Sequence, residues 1–473
     1  MSFWNRRKPF SAVDHPDPRR RLRRTLGWPH LVALGVGAIV GTGIYTLIGI
    51  GAGLAGPAVI VSFIIAGLVC VCAALAYAEM ATMMPAAGSA YTYTYSVGGE
   101  LLAWIVGWSL ILEYSVVCSA VAVGWSGYAA GFLDAAGMHL PAAAVSGAFA
   151  GGLVNVPAVL ITFIVAGMLI VGTRESANVN TVLVIVKVIA LLVFVYIGLS
   201  AFKAGNFHPF MPYGFAAHSE AGTNRGVMAA AAIIFFAFYG FDAVSTAAEE
   251  ARNPGRDLLW GIVGSMIVCT LLYMAVAVAA LGAMRFGQFA ASPEPLAHIL
   301  RGLGHPLAAT LIGVAAVIAL PTVILAFMYG QSRIFFVMAR DGLLPQRLGR
   351  VSPRTGAPVA MTVVTAIVVS IVAGLFPLAD IASVANAGTL CAFTAVAACM
   401  LTLRVREPGR VRTFRTPVAW LVGPLAIIGC LYLFFNLQSG TREYFFIWNA
   451  IGIVVYFLYS VRNSRLAGAV DQR

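Results

Sequence analysis

The chain has 473 residues, 60% of them apolar and only 10% charged, whereas an ordinary soluble domain carries about 25% charged residues. A water-facing globule is thereby excluded, and so is disorder, since low-complexity tracts are absent. The net charge of +12 does not point to nucleic acid, because the basic residues sit between apolar runs of about twenty residues, the length that crosses hydrocarbon.

Residues 1–30 read as a polar, Arg-rich tail whose Arg19-Arg20-Arg21 and Arg23-Arg24 clusters are a topology signal or a contact for anionic headgroups. The apolar run behind it has no small-residue cleavage site and many runs follow, so it is expected to be a span rather than a signal peptide. Spans are predicted at 31–54, 57–84, 101–133, 155–172, 179–202, 227–248, 258–284, 306–338, 358–376, 381–403, 417–438 and 444–461. They divide into a first five-span block (31–202), a second (227–403), a closing pair (417–461) and a tail over 462–473. The runs at 101–133 and 306–338 exceed what a bilayer needs and are expected to tilt or project.

Loop charge gives an orientation. With the N-terminal tail inside, loops on its side collect 24 of the 30 basic residues, while the opposite side holds five: Lys203, Arg225, Arg285, Arg301 and Arg442. Such asymmetry puts both ends in the cytoplasm and makes the number of spans even. Richness in Ala and Gly, with lysine only at 8, 187 and 203, fits a GC-rich bacterial genome and hence a bacterial inner membrane. The seven cysteines fall inside apolar runs as small packing residues. The histidines lie at loops or span edges, so neither a disulfide nor a metal site is expected.

Two spans are unusual. The first contains Gly35-Val36-Gly37-Ala38-Ile39-Val40-Gly41-Thr42-Gly43-Ile44, the sixth Phe236-Ala237-Phe238-Tyr239-Gly240-Phe241-Asp242. Glycine costs a helix about 1 kcal/mol relative to alanine, so these turns invite unwinding. The freed N–H and C=O groups cannot be satisfied by hydrocarbon, but a polar ligand can satisfy them. Each interruption opens a five-span block, and five is odd, so the second block enters the membrane inverted. The alternative is close helix packing through small residues.

Four ionisable residues lie deep: Glu79, Glu113, Lys187 and Asp242. A charge at mid-bilayer costs about 2.5–3.5 kcal/mol on insertion scales. Lys187, within Val184-Ile185-Val186-Lys187-Val188-Ile189, is the one basic residue that cannot easily snorkel. Burial disfavours its ammonium form, so it is a candidate for proton exchange; the alternative is a permanent ion pair with Glu113 or Asp242. Glu79, near a span end and able to face water, reads as structural. Asp242 is expected to cap the second half of the broken sixth helix, and Glu113 either pairs or lines the route.

At these residues the chain resembles the amino acid–polyamine–organocation transporter superfamily, within it the cationic-amino-acid-transporter-like branch. The resemblance runs from about residue 22 to 460 and is carried by the Gly37–Ile44 motif, by Tyr77-Ala78-Glu79 through Pro85-Ala86-Ala87-Gly88-Ser89-Ala90-Tyr91, and by Gly240-Phe241-Asp242-Ala243-Val244-Ser245-Thr246 with Glu249-Glu250. Arg252-Asn253-Pro254, Gly330-Gln331-Ser332-Arg333, Ala339-Arg340-Asp341-Gly342-Leu343-Leu344-Pro345 and Asn386-Ala387-Gly388-Thr389-Leu390 continue it. It implies an all-α membrane protein of twelve helices: the five-plus-five inverted repeat of the LeuT fold, with helices 1 and 6 discontinuous, plus two C-terminal helices. It implies alternating access, a substrate carboxylate on Gly41, Thr42 and Gly43 with Ile39 beside them, and an α-amino group on the backbone of Phe236, Ala237 and Tyr239. It also implies that Lys187 stands in for a sodium ion and carries proton coupling, so neither sodium nor a cofactor is expected. Tyr239 replaces a residue that is commonly aliphatic in the branch, and Gly124, within Ala122-Val123-Gly124-Trp125-Ser126, stands where some relatives carry arginine. With no acidic residue obviously placed to meet a side-chain charge, arginine and lysine are not the expected substrates.

The expectation is therefore a proton-coupled importer of L-α-amino acids, its partners a small-molecule substrate and the lipid bilayer, with oligomeric state open. The alternative is exchange of two amino-acid-derived solutes, a polyamine among them. A sensor would need an effector domain, a channel a filter or an acidic ring, and an enzyme a nucleophile–base pair or metal cluster; none is seen in the sequence.

Overall fold

Hydrocarbon offers no partner to a peptide group, so each apolar run closes its own backbone bonds as a helix. The computed structural model describes residues 6–9, 26–86, 88–171, 177–220, 223–248, 251–345 and 359–468. The Arg19–Arg24 clusters, Ala87, Arg174, Glu249 and Glu250, and Arg347, Arg350 and Arg354 lie outside the described residues, as does the end of the C-terminal tail.

The first predicted span is α1 (Trp28–Ile39), α2 (Thr42–Tyr45) and α3 (Leu47–Ala55), followed by α4 (Val59–Met83), α5 (Ser89–Val97), α6 (Glu100–Ala135), α7 (Val156–Val171) and α8 (Ala177–Ser200). The second block opens with α9 (Val227–Ile234), a single 3-10 turn at Phe235–Ala237 and α10 (Phe241–Thr246). After these come α11 (Pro254–Leu259), a π turn at Trp260–Gly264, α12 (Ser265–Ala283), α13 (Pro295–Gly302), α14 (Pro306–Arg340), α15 (Val359–Leu375), α16 (Leu378–Arg406), α17 (Ala419–Phe435) and α18 (Ser439–Val455). Among the described residues, eight stretches are long and apolar enough to cross a membrane, and four shorter apolar helices accompany them. The chain is thus a helical, multi-pass membrane protein. A short antiparallel pair, β1 (His218–Glu220) with β2 (Thr223–Arg225), interrupts the all-helical pattern in the loop before α9.

Apolar side chains cover the outside of the bundle as well as filling its core, and a few polar ones are buried within. Leu68, Leu160, Leu271 and Leu458 are more than half exposed, while Glu79, Glu113, Lys187, Asp242, Gln331 and Asn386 are buried. Apolar surface costs nothing against lipid, so helices associate through close packing instead. Glycines permit it: a Cβ at Gly388 would lie 3.0 Å from the Cβ of Glu113, which holds α16 tight against α6. All seven cysteines are unpaired, and five are buried; Cys72 and Cys391 are only half-buried, a partial departure from the buried-packing expectation.

Glu79 does not face water. It is 1% exposed and accepts bonds from Arg404 Nε at 3.1 Å, Arg404 Nη2 at 2.6 Å and the Thr416 N–H at 2.8 Å, with Arg412 Nε at 3.2 Å. The carboxylate therefore ties α4 to the end of α16 and the loop beyond it, a structural role. Lys8 donates to both Asp341 oxygens at 2.8 and 2.9 Å, and Arg6 donates to the Val461 carbonyl at 3.0 Å. The start of the chain is thus stitched to the end of α14 and to the segment after α18.

Candidate functional site

The two interruptions predicted from glycine content are present. Helix α1 stops at Ile39; Val40 and Gly41 leave helical geometry, and α2 begins at Thr42. In the sixth run, regular helix ends at Ile234 and resumes only at Phe241, with Gly240 at φ +119°. That conformation is open to glycine and strained for other residues. A Cβ at Gly240 would lie 2.9 Å from the Ala38 carbonyl carbon and 3.0 Å from Ile39 N. A Cβ at Gly43 would press into the backbone of Ala237. The two breaks therefore cross in direct backbone contact, and bulk at Gly43 would separate them before it crowded any ligand.

Side chains satisfy the carbonyl ends of both breaks. Tyr273 donates its hydroxyl to the Ile39 carbonyl at 2.7 Å, and Lys187 Nζ donates to the Gly37 carbonyl at 3.1 Å and to Thr322 Oγ1 at 3.2 Å. Asn386 Nδ2 donates to the carbonyls of Ala232 at 2.7 Å and Ile233 at 3.2 Å. On the amide side, Asp242 Oδ1 accepts from the Gly240 N–H at 3.1 Å, and Oδ2 accepts from the Tyr114 hydroxyl at 3.1 Å. This is the capping role expected for Asp242. Lys187, wholly buried, secures the end of α1 to α14.

Between the breaks lies a cavity of about 10 Å³, lined by Ala38, Ile39, Gly41, Thr42, Gly43 and Phe236 together with Tyr239, Val117, Val121, Val323 and Phe327. A space of that size holds about one water, so the walls are closed on one another. Of the residues expected to hold substrate, Ile39, Gly41, Thr42, Gly43, Phe236 and Tyr239 line it, and Ala237 lies directly behind, against Gly43. Two hydroxyls of the lining, Thr42 Oγ1 and Tyr239 Oη, are buried without a hydrogen-bond partner. The four apolar residues Val117, Val121, Val323 and Phe327 carried no signal in the sequence, because an apolar residue in an apolar helix does not say which neighbour it faces. A wider depression of about 510 Å³ around Pro212, Tyr213 and His218 belongs to the open loop before α9.

Glu113 is 1% exposed, and the Lys187 ammonium donates elsewhere, to the Gly37 carbonyl and Thr322, rather than to it. It sits four residues before Val117 and eight before Val121 on α6, hence on the same helix face. No cluster of three or more His, Cys, Asp or Glu side chains is arranged to hold a metal among the described residues.

A bundle of apolar helices, two of them broken and crossed at a closed cavity, is the architecture of a membrane transporter rather than of an enzyme. Over residues 26–459 the chain matches the family model described as amino acid permease, and it belongs to that family. It is 43% identical over 453 residues to the branched-chain amino acid permease BcaP of Bacillus subtilis (strain 168), covering 94% of this chain and 95% of that one. It is 39% identical to the methylthioribose transporter of the same organism, over 98% of this chain and all of the other. Its identity to the vacuolar cationic amino acid transporter 4 of Arabidopsis thaliana is 37%, over 87% of this chain and 68% of the relative. The chain is an amino acid transporter of this superfamily.

Proposed function

We propose that the protein imports a neutral, apolar L-α-amino acid by proton-coupled alternating access. The observation that carries this reading is the crossing of two broken helices at a cavity walled by Val117, Val121, Val323 and Phe327. Backbone and hydroxyl groups at the breaks suit the zwitterionic end of an amino acid, and the four apolar side chains suit an aliphatic side chain. The name of the Bacillus branched-chain permease supports leucine, isoleucine or valine. In this reading the chain spans a bacterial inner membrane twelve times with both ends in the cytoplasm, as a five-plus-five inverted repeat followed by two helices. The proton gradient is the energy source, with no cofactor and no sodium requirement.

Lys187 is the proposed proton carrier, because its ammonium holds the Gly37 carbonyl at the break itself. Purified protein in liposomes without internal solute should accumulate labelled leucine when an inward proton gradient is imposed; an obligate exchanger would stay silent until preloaded. Lys187→Met should abolish gradient-driven uptake while leaving exchange measurable, and undiminished proton-driven uptake in that variant removes Lys187 from the mechanism. A second reading follows from the methylthioribose-transporting relative: two neutral orphan hydroxyls and an apolar wall also suit a methylthio sugar. Competition of leucine uptake by methylthioribose separates the two.

A further inference from the structure

The face of α6 that walls the cavity with Val117 and Val121 continues three residues on at Gly124, about 4.5 Å further along the helix axis. Gly124 is buried, and the place a side chain would take there is already filled. A Cβ at Gly124 would press into Thr42 Cγ2 and would lie 2.7 Å from Thr42 Oγ1 and 3.0 Å from Thr42 Cβ. Both branches of the threonine thus sit in the notch that the glycine leaves in α6. Thr42 is wholly buried, it lines the cavity, and its hydroxyl has no hydrogen-bond partner. Helix α2, which carries it, is held at three further points. The Tyr45 carbonyl accepts from the Tyr128 hydroxyl of α6 at 2.6 Å, the Tyr45 hydroxyl donates to the Lys187 carbonyl of α8 at 3.4 Å, and Gly43 lies against the backbone of Ala237.

We infer that Gly124 is a positioning residue for the substrate carboxylate: by carrying no side chain, it seats Thr42 so that the unpartnered hydroxyl is presented to the ligand at the start of α2. The methyl and hydroxyl of threonine share one carbon and occupy staggered wells, so the two move together. Bulk at position 124 is not met by retreat of α2, because the contacts with Tyr128, Lys187 and Ala237 hold that helix where it is. It is met by rotation of the Thr42 side chain into another well, and the hydroxyl leaves its place with it. A buried hydroxyl without a partner costs stability. Here a carboxylate oxygen of the substrate accepts from it on binding, a charge-assisted bond stronger than one between neutral groups. Gly124 therefore acts through Thr42 and not by touching the ligand.

This inference rests on the amino acid reading above, and the test separates the two. Full-length protein is purified, and L-leucine binding is measured by titration calorimetry alongside the melting temperature. A wild type that binds no amino acid defeats the functional reading and this inference with it; every other adverse outcome strikes the inference alone. Gly124→Ala should lose at least tenfold in leucine affinity. Gly124→Ala with Thr42→Ser should regain it, because the alanine methyl takes the volume that the threonine methyl gives up while a hydroxyl remains. Gly124→Ala with Thr42→Ala relieves the same crowding without supplying a hydroxyl. It should therefore melt like the serine double variant and bind leucine at least tenfold more weakly. That comparison holds even where Gly124→Ala alone does not fold. Wild-type affinity in Gly124→Ala overturns the inference, as does a loss that Thr42→Ser does not restore, or equal affinity in the two double variants.

Discussion

Gly240→Ala tests the contact on which the whole site depends. Two penalties follow from the geometry. Alanine at φ +119° is held outside its populated backbone regions, at about 1–3 kcal/mol. Its methyl would also lie 2.9–3.0 Å from Ala38 C and O and from Ile39 N, inside the roughly 3.5–4.0 Å separation of a relaxed carbon contact. Backbone on both sides cannot swing away as a side chain would, so overpacking adds about 1–3 kcal/mol. The sum, about 2–6 kcal/mol, corresponds to a loss of roughly 30-fold to over 10⁴-fold in the crossed, binding-competent state at about 1.4 kcal/mol per tenfold. The assay is leucine affinity together with the melting curve of the purified protein. Gly313→Ala is the control, because a Cβ there meets nothing within 4 Å inside α14, and it should leave both quantities as they are or raise stability slightly. A Gly240→Ala protein with wild-type affinity and wild-type melting would refute the crossing of the two breaks.

Three further outcomes are expected. Thr42→Val removes a buried hydroxyl that has no protein partner, so melting should hold or rise by an amount equivalent to about 1 kcal/mol while leucine affinity falls about tenfold; unchanged affinity would detach Thr42 from the substrate. Tyr273→Phe strips the Ile39 carbonyl of its donor at 2.7 Å and should cost about 1–3 kcal/mol, read as a lowered melting temperature. Glu79→Ala leaves Arg404 and Arg412 facing an empty place and should cost about 3–5 kcal/mol; a stable Glu79→Ala protein would show that the arginines find water.

Much of this was legible because the bilayer makes anomalies conspicuous. Glycines clustered in the middle of an apolar run stood out at 35–43 and at 240, and the breaks are there. Lys187 stood out as a lone cation in Val and Ile. Its partners did not: a backbone carbonyl such as that of Gly37 has no sequence signature, and Thr322 is one of many threonines. The burial of Glu79 has no sequence signature, because the arginines that hold it lie more than 320 positions away, beyond any periodicity. Equally invisible were the stitch from Lys8 to Asp341 and the cavity walls at Val117, Val121, Val323 and Phe327. For Glu113 the sequence contained half an answer: its four-residue spacing from Val117 fixed a shared face, but only the cavity shows what that face looks onto.

Breaking a helix exposes carbonyls on one side of the gap and amides on the other, and this protein treats the two sides differently. The carbonyl ends are claimed by donors built into neighbouring helices: Tyr273 on Ile39, Lys187 on Gly37, Asn386 on Ala232 and Ile233. At the start of α10, Asp242 takes up the Gly240 amide. At the start of α2 no acidic side chain occupies the first turn, and Gly41, Thr42 and Gly43 line the cavity beside an unpartnered hydroxyl. Of the two half-helix starts, that is the one without an acid of the protein's own in its first turn. An anionic group would complete it, which supports the proposal that the substrate carboxylate sits there with the side chain of the solute toward the valines.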